Sequence, residues 1–471
     1  MIEGIDGSGK STQAKLLFEF LKRKIRKKAI ELYEETKRWR LNAWRDYIEE
    51  EFERCKTKWT LKRFPELKNA ELNDLTDFKK FPPQDWINPP EDFPAARKTL
   101  TSGTFKRKEI QYSKNDLIKA ITTAAWYVYS VNKKFHEKGL FLYVQGANNE
   151  MYGTSIFAVH AAKILSNHGF TGNLLNLNHD VKRIKKYAPF DTIHCVTPFF
   201  HAFVNIIENL EFKLFDEKSI LYLTGAPVYS DVFEIIEEYQ REHNVKIQVL
   251  DYYAATETTI LAVQGEEKHR LMYVPFTHYG VIKTDEDVIS ILDAKPGTIG
   301  KYYVTRFFDY MIPNYDIGDL IEVVGRAPNE LPLIRVIGRH RIKRIEIKLP
   351  KIGEIQGFAG YEFRTPQAGL HGYVFREACA RYKARSFVIA VPKQNKVVCF
   401  LYMDKPLKLE TILKELETHP HGKVMLKMIE YGSIELCIEC DPNVVKAYYE
   451  NELRKHPQSE PFPIILKTSN S

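Results

Sequence analysis

The sequence has few cysteines and no long apolar run, and these two absences exclude several classes of protein. Six cysteines in 471 residues are too few for the disulfide framework of a small secreted domain. No apolar run approaches the roughly 18 residues of a membrane span, so we expect no membrane partner. A signal-peptide pattern is absent because Glu3, Asp6 and Lys10 interrupt it. We therefore expect a cytoplasmic protein.

A strong excess of charge of either sign is also lacking. Lysine and arginine total 69 and the acidic residues 61, which leaves a net charge of +8. A charge this thinly spread permits small anionic substrates and does not predict a nucleic-acid partner. Hydrophobic residues make up 44% of the chain and aromatic residues 13%, as in folded proteins with large cores. The length suits two to four domains.

Only one cysteine pair has the spacing of a metal or redox motif. Cys437 and Cys440 form a CxxC sequence. One pair cannot complete a four-ligand zinc site without distant partners. We interpret the pair as buried thiols.

A glycine-rich string at the start of the chain matches a phosphate-binding loop. Residues 2–13 read IEGIDGSGKSTQ, which satisfies the G-x-x-x-x-G-K-S pattern. Its glycines allow backbone N–H groups to surround phosphate oxygens. Lys10 would act catalytically at the β- and γ-phosphates, Ser11 would bind Mg²⁺, and the helix predicted over 14–21 would point its N-terminus at the same oxygens. The residues expected to contact ATP are Gly4, Ile5, Asp6, Gly7, Ser8, Gly9, Lys10, Ser11 and Thr12.

The longer string EGIDGSGKSTQAKLL resembles the thymidylate kinases. The resemblance implies transfer of the γ-phosphate of ATP to dTMP. It ends near residue 24, because the chain contains no Asp-Arg dipeptide of the kind that family has at its nucleotide-monophosphate site. After residue 22 we expect the helix to continue to residue 47, since no Gly or Pro interrupts it.

The rest of the chain alternates short apolar strands with helical segments. Strands are predicted at 140–144, 220–223 and 245–250, and a helix at 231–243, a pattern that favours an α/β fold with a parallel or mixed sheet. Helical spacing over 25–80 and prolines over 81–94 suggest a helical region followed by an ordered connector. We expect a phosphate-loop segment at 1–24, a helical region with its connector at 25–98, an α/β core at 99–338 and a smaller C-terminal domain at 339–471.

Five short strings in this part of the chain are weak alone but form an ordered set. They are Thr101-Ser102-Gly103-Thr104, Leu223-Thr224-Gly225-Ala226-Pro227, Tyr253-Ala254-Ala255-Thr256-Glu257, Tyr315-Asp316-Ile317-Gly318-Asp319 and Gly338-Arg339. In this order they resemble the adenylate-forming superfamily. Its phenylacetate–coenzyme A ligases, acyl-protein synthetases and auxin–amino acid conjugating enzymes are the most similar branches. The resemblance implies a large mixed-sheet domain with a smaller α+β C-terminal domain, here preceded by the phosphate loop and long helices.

The same resemblance implies a reaction and assigns roles to residues. A carboxylate would attack the α-phosphate of ATP, pyrophosphate would leave, and a thiol or amine would accept the acyl group. Thr101, Ser102, Gly103 and Thr104 would contact the departing pyrophosphate. Thr256 would touch the α-phosphate, Glu257 would bind Mg²⁺ and Asp319 would bind the ribose. Arg339 would lie near the ribose and phosphate, and Lys467 is the candidate for a catalytic lysine near the C-terminus.

Three interpretations remain at this point. The first is an adenylate-forming enzyme carrying a kinase-like loop, the second is a thymidylate kinase with a long extra region, and the third is an ATP-binding protein without turnover. The departures from the family's strings concern activity more than fold: Ala254 stands where a glycine is usual, and Phe105 to Lys108 replace the rest of the phosphate loop. His194 and His201 are interpreted as core or pocket-wall residues and not as catalysts. The acyl substrate and its acceptor stay open.

Overall fold

The computed structural model describes most of the chain, with gaps. The described residues are 10–100, 108–143, 163–173, 177–197, 200, 210–225, 228, 230–264, 270–339, 343–349, 353–359, 362–364, 369–393, 396–418, 420–430, 432, 434–455 and 464–466. Within them, none of the helices combines the length and the apolar character needed to cross a bilayer.

The first part of the described chain is helical and leads into a hairpin and a long helix. Its elements are α1 (Lys10–Thr36), α2 (Leu41–Arg54), α3 (Lys58–Arg63), two short 3-10 helices (Pro65–Asn69 and Leu72–Thr76), strands β1 (Arg97–Leu100) and β2 (Glu109–Tyr112), and α4 (Lys114–Asn132). Ser113 begins α4 as its N-cap, because its side chain accepts a hydrogen bond from the Asp116 N–H while the Asp116 carboxylate accepts one from the Ser113 N–H. This reciprocal pair fixes where the hairpin ends.

A twelve-stranded mixed sheet follows. Its strands are β3 (Lys138–Tyr143), β4 (His168–Asn173), β5 (Phe190–Val196), β6 (Phe215–Thr224), β7 (Lys246–Ala255), β8 (Thr259–Gln264), β9 (Leu271–Tyr273), β10 (His278–Lys283), β11 (Val288–Ser290), β12 (Ile299–Arg306), β13 (Tyr315–Arg326) and β14 (Pro332–Arg339). They pair in the order β11-β10-β12-β13-β14-β9-β8-β7-β6-β5-β3-β4. The pairs among β3 to β7 are parallel, and those from β7 to β11 are antiparallel. Helices α5 (Leu177–Tyr187) and α6 (Ser230–His243) connect the parallel strands, as crossovers between parallel strands require.

A smaller α+β part completes the described chain. It contains β15 (Lys343–Leu349), β16 (Gly353–Ala359), β17 (Glu362–Arg364), β18 (Gly369–His371), α7 (Gly372–Ala380), β19 (Ser386–Lys393), β20 (Lys396–Met403), α8 (Leu409–Leu416), α9 (Pro420–Glu430), β21 (Ile434–Cys440), α10 (Pro442–Lys455) and β22 (Ile464–Leu466). Six of its strands form a sheet in the order β15-β16-β22-β19-β20-β21. Leu320 of β13 belongs to the apolar core of this smaller part. That core therefore extends to the large sheet.

The first helix ends earlier than the sequence predicts. The expected helix over 22–47 breaks between Thr36 and Leu41, although no glycine or proline lies there. The break lets α2 turn and bury Trp44, which is 1% exposed and packs edge-to-face on Phe276 at 5.7 Å. The packing of a large aromatic side chain therefore overrides helix continuity.

α1 is held to the body of the protein by cations that bind backbone carbonyls. Lys22 Nζ donates to Ser166 O at 2.9 Å, and Arg26 donates to the carbonyls of Ile164 and Leu165 at 3.0 and 2.9 Å. Burial lowers the pKa of Lys22 because it disfavours the charged form. Two basic residues of α1, Lys22 and Arg26, therefore have a structural role and make three hydrogen bonds to backbone carbonyls.

The structure corrects one prediction about the thiols and supports another about a histidine. Cys440 is exposed and Cys437 is only partly buried, because β21 forms the edge of its sheet; the interpretation as buried thiols was wrong for Cys440. His194 is half-buried and stacks on the buried Tyr222 with ring centroids 4.6 Å apart, as expected for a core or pocket-wall residue. Burial lowers the pKa of His194 to about 3, so the ring is neutral at pH 7. His201 lies outside the described residues.

The proline-rich connector is tied into the large sheet just before the Tyr315 string. Asn314 adopts a left-handed conformation with φ of 46°, which asparagine tolerates better than most residues. Its side-chain Nδ2 donates to the carbonyls of Leu75 and Phe81, both at 2.8 Å. One fully buried amide therefore fixes both the helical region and the start of β13.

Replacing Asn314 by alanine should destabilise the protein by about 2–6 kcal/mol. Two buried carbonyls lose their donor, and each lost partner costs about 1–3 kcal/mol. The measurement is urea unfolding followed by tryptophan fluorescence. Asn73→Ala is the control, since Asn73 is exposed and its replacement should shift stability by about 0.5 kcal/mol or less. Equal stability of the two variants would contradict the anchoring role.

Candidate functional site

The tight turn that follows β7 carries Thr256 and Glu257. The turn closes with a hydrogen bond from the Thr258 N–H to the Ala255 carbonyl at 3.2 Å, and Thr259 takes a positive φ of 68°. Thr256 is 6% exposed, and its backbone carbonyl accepts a hydrogen bond from the Tyr112 hydroxyl. Glu257 therefore lies in a turn of fixed shape and not at a helix cap.

A β-bulge near the start of β13 determines where Asp319 is placed. Tyr302 of β12 pairs with Asp319, while the next residue, Tyr303, pairs with Asp316. The two extra residues require a local kink, which Gly318 provides with φ of 84°, and its N–H donates to the Asp316 carboxylate at 2.9 Å. Bulges commonly redirect a side chain beside a functional site.

Two hydrogen bonds join the end of β7 to the start of β13. The Tyr315 hydroxyl donates to Glu257 Oε1 at 2.7 Å, and the Tyr253 hydroxyl donates to Asp319 Oδ2. β8, β9 and β14 separate these strands in the sheet, so the antiparallel half must curl to bring them together. Glu257 and Asp319, 62 residues apart in sequence, therefore lie at one junction.

Lys108, the residue just before β2, approaches the same junction. Its Nζ donates to the Tyr315 hydroxyl oxygen at 3.1 Å and lies 5.0 Å from the centroid of the Tyr315 ring. Lys108 directly follows 101–107, which contain the predicted phosphate-contacting string. A cation therefore joins the hydrogen bond between Tyr315 and Glu257.

A second cation, Arg306, is buried against strand β2 of the hairpin. It is 1% exposed, and its guanidinium carbon lies 5.0 Å from the ring of Tyr112 and 5.3 Å from that of Trp86. Its Nη2 donates to the Gln111 carbonyl at 3.3 Å. This arrangement stabilises the Tyr112 side of the site through cation–π contacts.

Sequence reasoning did not select Lys108, Tyr112 or Arg306 as site residues. Lys108 was named only as the end of the segment 105–108 that replaces the rest of the phosphate loop, and it was given no role. Tyr112 and Arg306 give no local signal, because their contacts are made with distant strands. Tyr315 was quoted within a string but was given no role.

Several predicted site residues cannot be placed. Outside the described residues lie Gly4, Ile5, Asp6, Gly7, Ser8, Gly9, Thr101, Ser102, Gly103, Thr104 and Lys467. The backbone of Lys10, Ser11 and Thr12 forms the first turn of α1. Arg339 ends β14, and its backbone is paired with Asp319.

Asp319 is more buried than a residue that lines an open cleft. It is 4% exposed and sits within β13. Alanine at this position would therefore disturb folding, because removing the carboxylate deprives the Tyr253 hydroxyl of its acceptor. A conservative replacement by asparagine is the better probe.

The junction offers oxygen donors of the kind that Mg²⁺ prefers, but few of them. Glu257 supplies a carboxylate whose Oε1 is already hydrogen-bonded. Across the described part of the chain, no group of three or more His, Cys, Asp or Glu residues could hold a metal. Mg²⁺ is commonly held by one or two carboxylates together with substrate phosphates. The residues present therefore fit a metal that arrives with a nucleotide and not one held by a protein cage.

Comparison with solved structures identifies the fold. A 2-hydroxyisobutyryl-CoA ligase in the postadenylation state matches with a TM-score of 0.52 and 11% identity over 91% of each chain. An acyl acid amido synthetase matches with a TM-score of 0.51 and 13% identity over 88% of this chain and 84% of the other. O-succinylbenzoate coenzyme A synthetase from Bacillus subtilis matches with a TM-score of 0.46 and 14% identity, and the chain covers 63% of its length.

Comparison of sequences alone adds nothing to this result. No protein-family model matches the sequence, and a search of curated proteins finds no match. At identities of 11–13% the structural likeness bears on the fold and not on the substrate. The protein has a mixed α/β fold similar to those of this coenzyme A ligase and this amido synthetase, with a large mixed sheet and a smaller C-terminal α+β part.

Proposed function

We propose that this protein is an ATP-dependent, adenylate-forming ligase. It would join a carboxylic acid to the α-phosphate of ATP, release pyrophosphate, and pass the acyl group to a thiol or an amine. The observation that carries the proposal is the junction at which Tyr315 holds Glu257 and Tyr253 holds Asp319. These are the two acids that the family resemblance assigns to Mg²⁺ and to the ribose.

The chemistry needs positioning and charge neutralisation more than acid–base catalysis. A carboxylate is already a nucleophile at neutral pH, so the protein must hold it in line with the α-phosphorus. Asp319 would fix the ribose and thereby the position of the phosphorus. Mg²⁺, held by Glu257 and the nucleotide phosphates, would supply charge stabilisation.

The remaining predicted residues would complete the nucleotide site. Thr256, which the Tyr112 hydroxyl holds through its carbonyl, would approach the α-phosphate. The string Thr101 to Thr104 would contact the departing pyrophosphate. Arg339 would add a cation near the ribose and phosphate, since its backbone is paired with Asp319. Lys467 is kept as the candidate for the catalytic lysine.

The acceptor of the acyl group is proposed by class. Two of the structurally similar proteins are a coenzyme A ligase and an acyl acid amido synthetase. These two names suggest a thiol or an amine as the acceptor.

The domain boundaries are also proposals. They divide the chain into 1–24, 25–98, 99–338 and 339–471, and the last boundary falls one residue before the end of β14.

The thymidylate-kinase interpretation stays a prediction. Its glycines and Asp6 lie outside the described residues, and the resemblance covers only residues 1–24. The strands β3, β4 and β5 lie in the same sheet as β6 to β14, so the described residues among the first 200 form no separate kinase-like sheet. The roles of Lys10 and Ser11 at a second ATP site also stay predictions.

Product analysis with labelled ATP tests the proposal. We expect AMP and pyrophosphate when a panel of aliphatic and aromatic carboxylic acids is supplied with ATP and Mg²⁺. ADP formation with dTMP would support the kinase interpretation instead. ATP binding without either product across the panel would favour the interpretation as a binding protein without turnover.

A further inference from the structure

The hydrogen-bond chain from Lys108 through Tyr315 to Glu257 has a defined direction. A lysine ammonium can only donate and an ionised carboxylate can only accept. The Lys108 ammonium engages the phenolic oxygen at 3.1 Å, so the Tyr315 hydroxyl directs its own hydrogen to Glu257 Oε1 at 2.7 Å. Charge at both ends strengthens such a chain.

Tyr315 is held rigidly enough to orient another side chain. It is 3% exposed, and its ring packs in a T-shaped arrangement with Trp86 at a centroid distance of 5.9 Å. Its backbone lies between β12, where it pairs with Val304, and the connector, where it bridges to Gln84. The hydroxyl therefore occupies one position relative to the turn that carries Glu257.

We propose that Tyr315 is a positioning residue that orients Glu257 as a ligand of the Mg²⁺ that accompanies the nucleotide, and that Lys108 holds the Tyr315 hydroxyl in place. The inference rests on the proposed function for the role of Glu257. A ligating carboxylate is commonly hydrogen-bonded by a neighbour that fixes its orientation, and loss of that neighbour typically lowers metal affinity about 10–100-fold.

Metal binding can be measured without turnover. The full-length protein is titrated with Mn²⁺ in the presence of α,β-methylene-ATP, and bound Mn²⁺ is followed by electron paramagnetic resonance. Tyr315→Phe removes only the hydroxyl and should weaken Mn²⁺ binding about 10-fold or more. The affinity for the analogue in the absence of metal should change less than about twofold. A general loss of structure would instead weaken this metal-free binding as well.

Matched variants control for the loss of a tyrosine hydroxyl and of a lysine. Tyr222→Phe is the first, because Tyr222 is buried and its hydroxyl has no hydrogen-bond partner among the residues the structure describes. Lys108→Gln should weaken Mn²⁺ binding, and Lys98→Gln, on the same hairpin, should not. In the Tyr315→Phe background, Lys108→Gln should add little, since Lys108 acts through the hydroxyl.

The outcomes separate this inference from the proposed function. Normal Mn²⁺ affinity in Tyr315→Phe, with affinity lost in Glu257→Gln, overturns the positioning role and leaves the ligase proposal standing. Equal weakening of metal-free and metal-dependent binding in Tyr315→Phe also overturns it, because the role is then structural. Normal Mn²⁺ affinity in Glu257→Gln removes the metal site from the proposed function, and the inference fails with it.

Discussion

Replacing Glu257 by glutamine should reduce carboxylate-dependent ATP–pyrophosphate exchange by about 100-fold or more. The amide keeps the size of the side chain and can still accept the hydrogen bond from Tyr315, so the fold is preserved. The charge that would hold Mg²⁺ beside the α-phosphate is lost. Loss of a single group that stabilises developing charge in a transition state commonly costs about 10²–10³ in rate.

The control for this prediction is the same change at an acid far from the junction. Glu286 is exposed in the turn after β10, so Glu286→Gln should retain full exchange. Circular dichroism and the unfolding midpoint of both variants should match those of the starting protein. Full exchange in Glu257→Gln would remove Glu257 from the mechanism.

Elements with a local signal were predictable from the sequence. The alternation of apolar strands and helices predicted the α/β class, and the observed β6, β7 and α6 overlap the predicted segments. The acids Glu257 and Asp319 were selected because each stands in one of the ordered strings that resemble the adenylate-forming superfamily. Such strings encode local backbone shape, as Gly318 shows at the bulge before Asp319.

Contacts between distant parts of the chain were not predictable. The link from Tyr315 to Glu257 depends on the curl of the antiparallel half of the sheet, which no single segment encodes. The break after Thr36 depends on the burial of Trp44 against Phe276, 232 residues away. In both cases tertiary packing determines the observed conformation, whereas a sequence pattern indicates only the conformation that each segment favours by itself.

Replacing Asp319 by asparagine should raise the KM for ATP by about 10–100-fold. The amide oxygen can still accept the Tyr253 hydroxyl, so the junction stays assembled. The hydrogen bonds between a carboxylate and the ribose hydroxyls lose their charge, and a hydrogen bond to a charged group is worth about 1.5–3 kcal/mol. Steady-state exchange rates at varied ATP concentration give the KM.

Ribose analogues distinguish a ribose contact from a general defect. The starting protein should use 2′-deoxy-ATP and 3′-deoxy-ATP less well than ATP, because each analogue lacks a hydroxyl that Asp319 would bind. Asp319→Asn should discriminate against at least one analogue less strongly, since the contact that detects the missing hydroxyl is already weakened. Tyr253→Phe is the companion variant, because it removes only the hydroxyl that orients Asp319 and should reduce discrimination in the same direction. Unchanged discrimination in Asp319→Asn would mean that Asp319 supports the junction without touching the ribose.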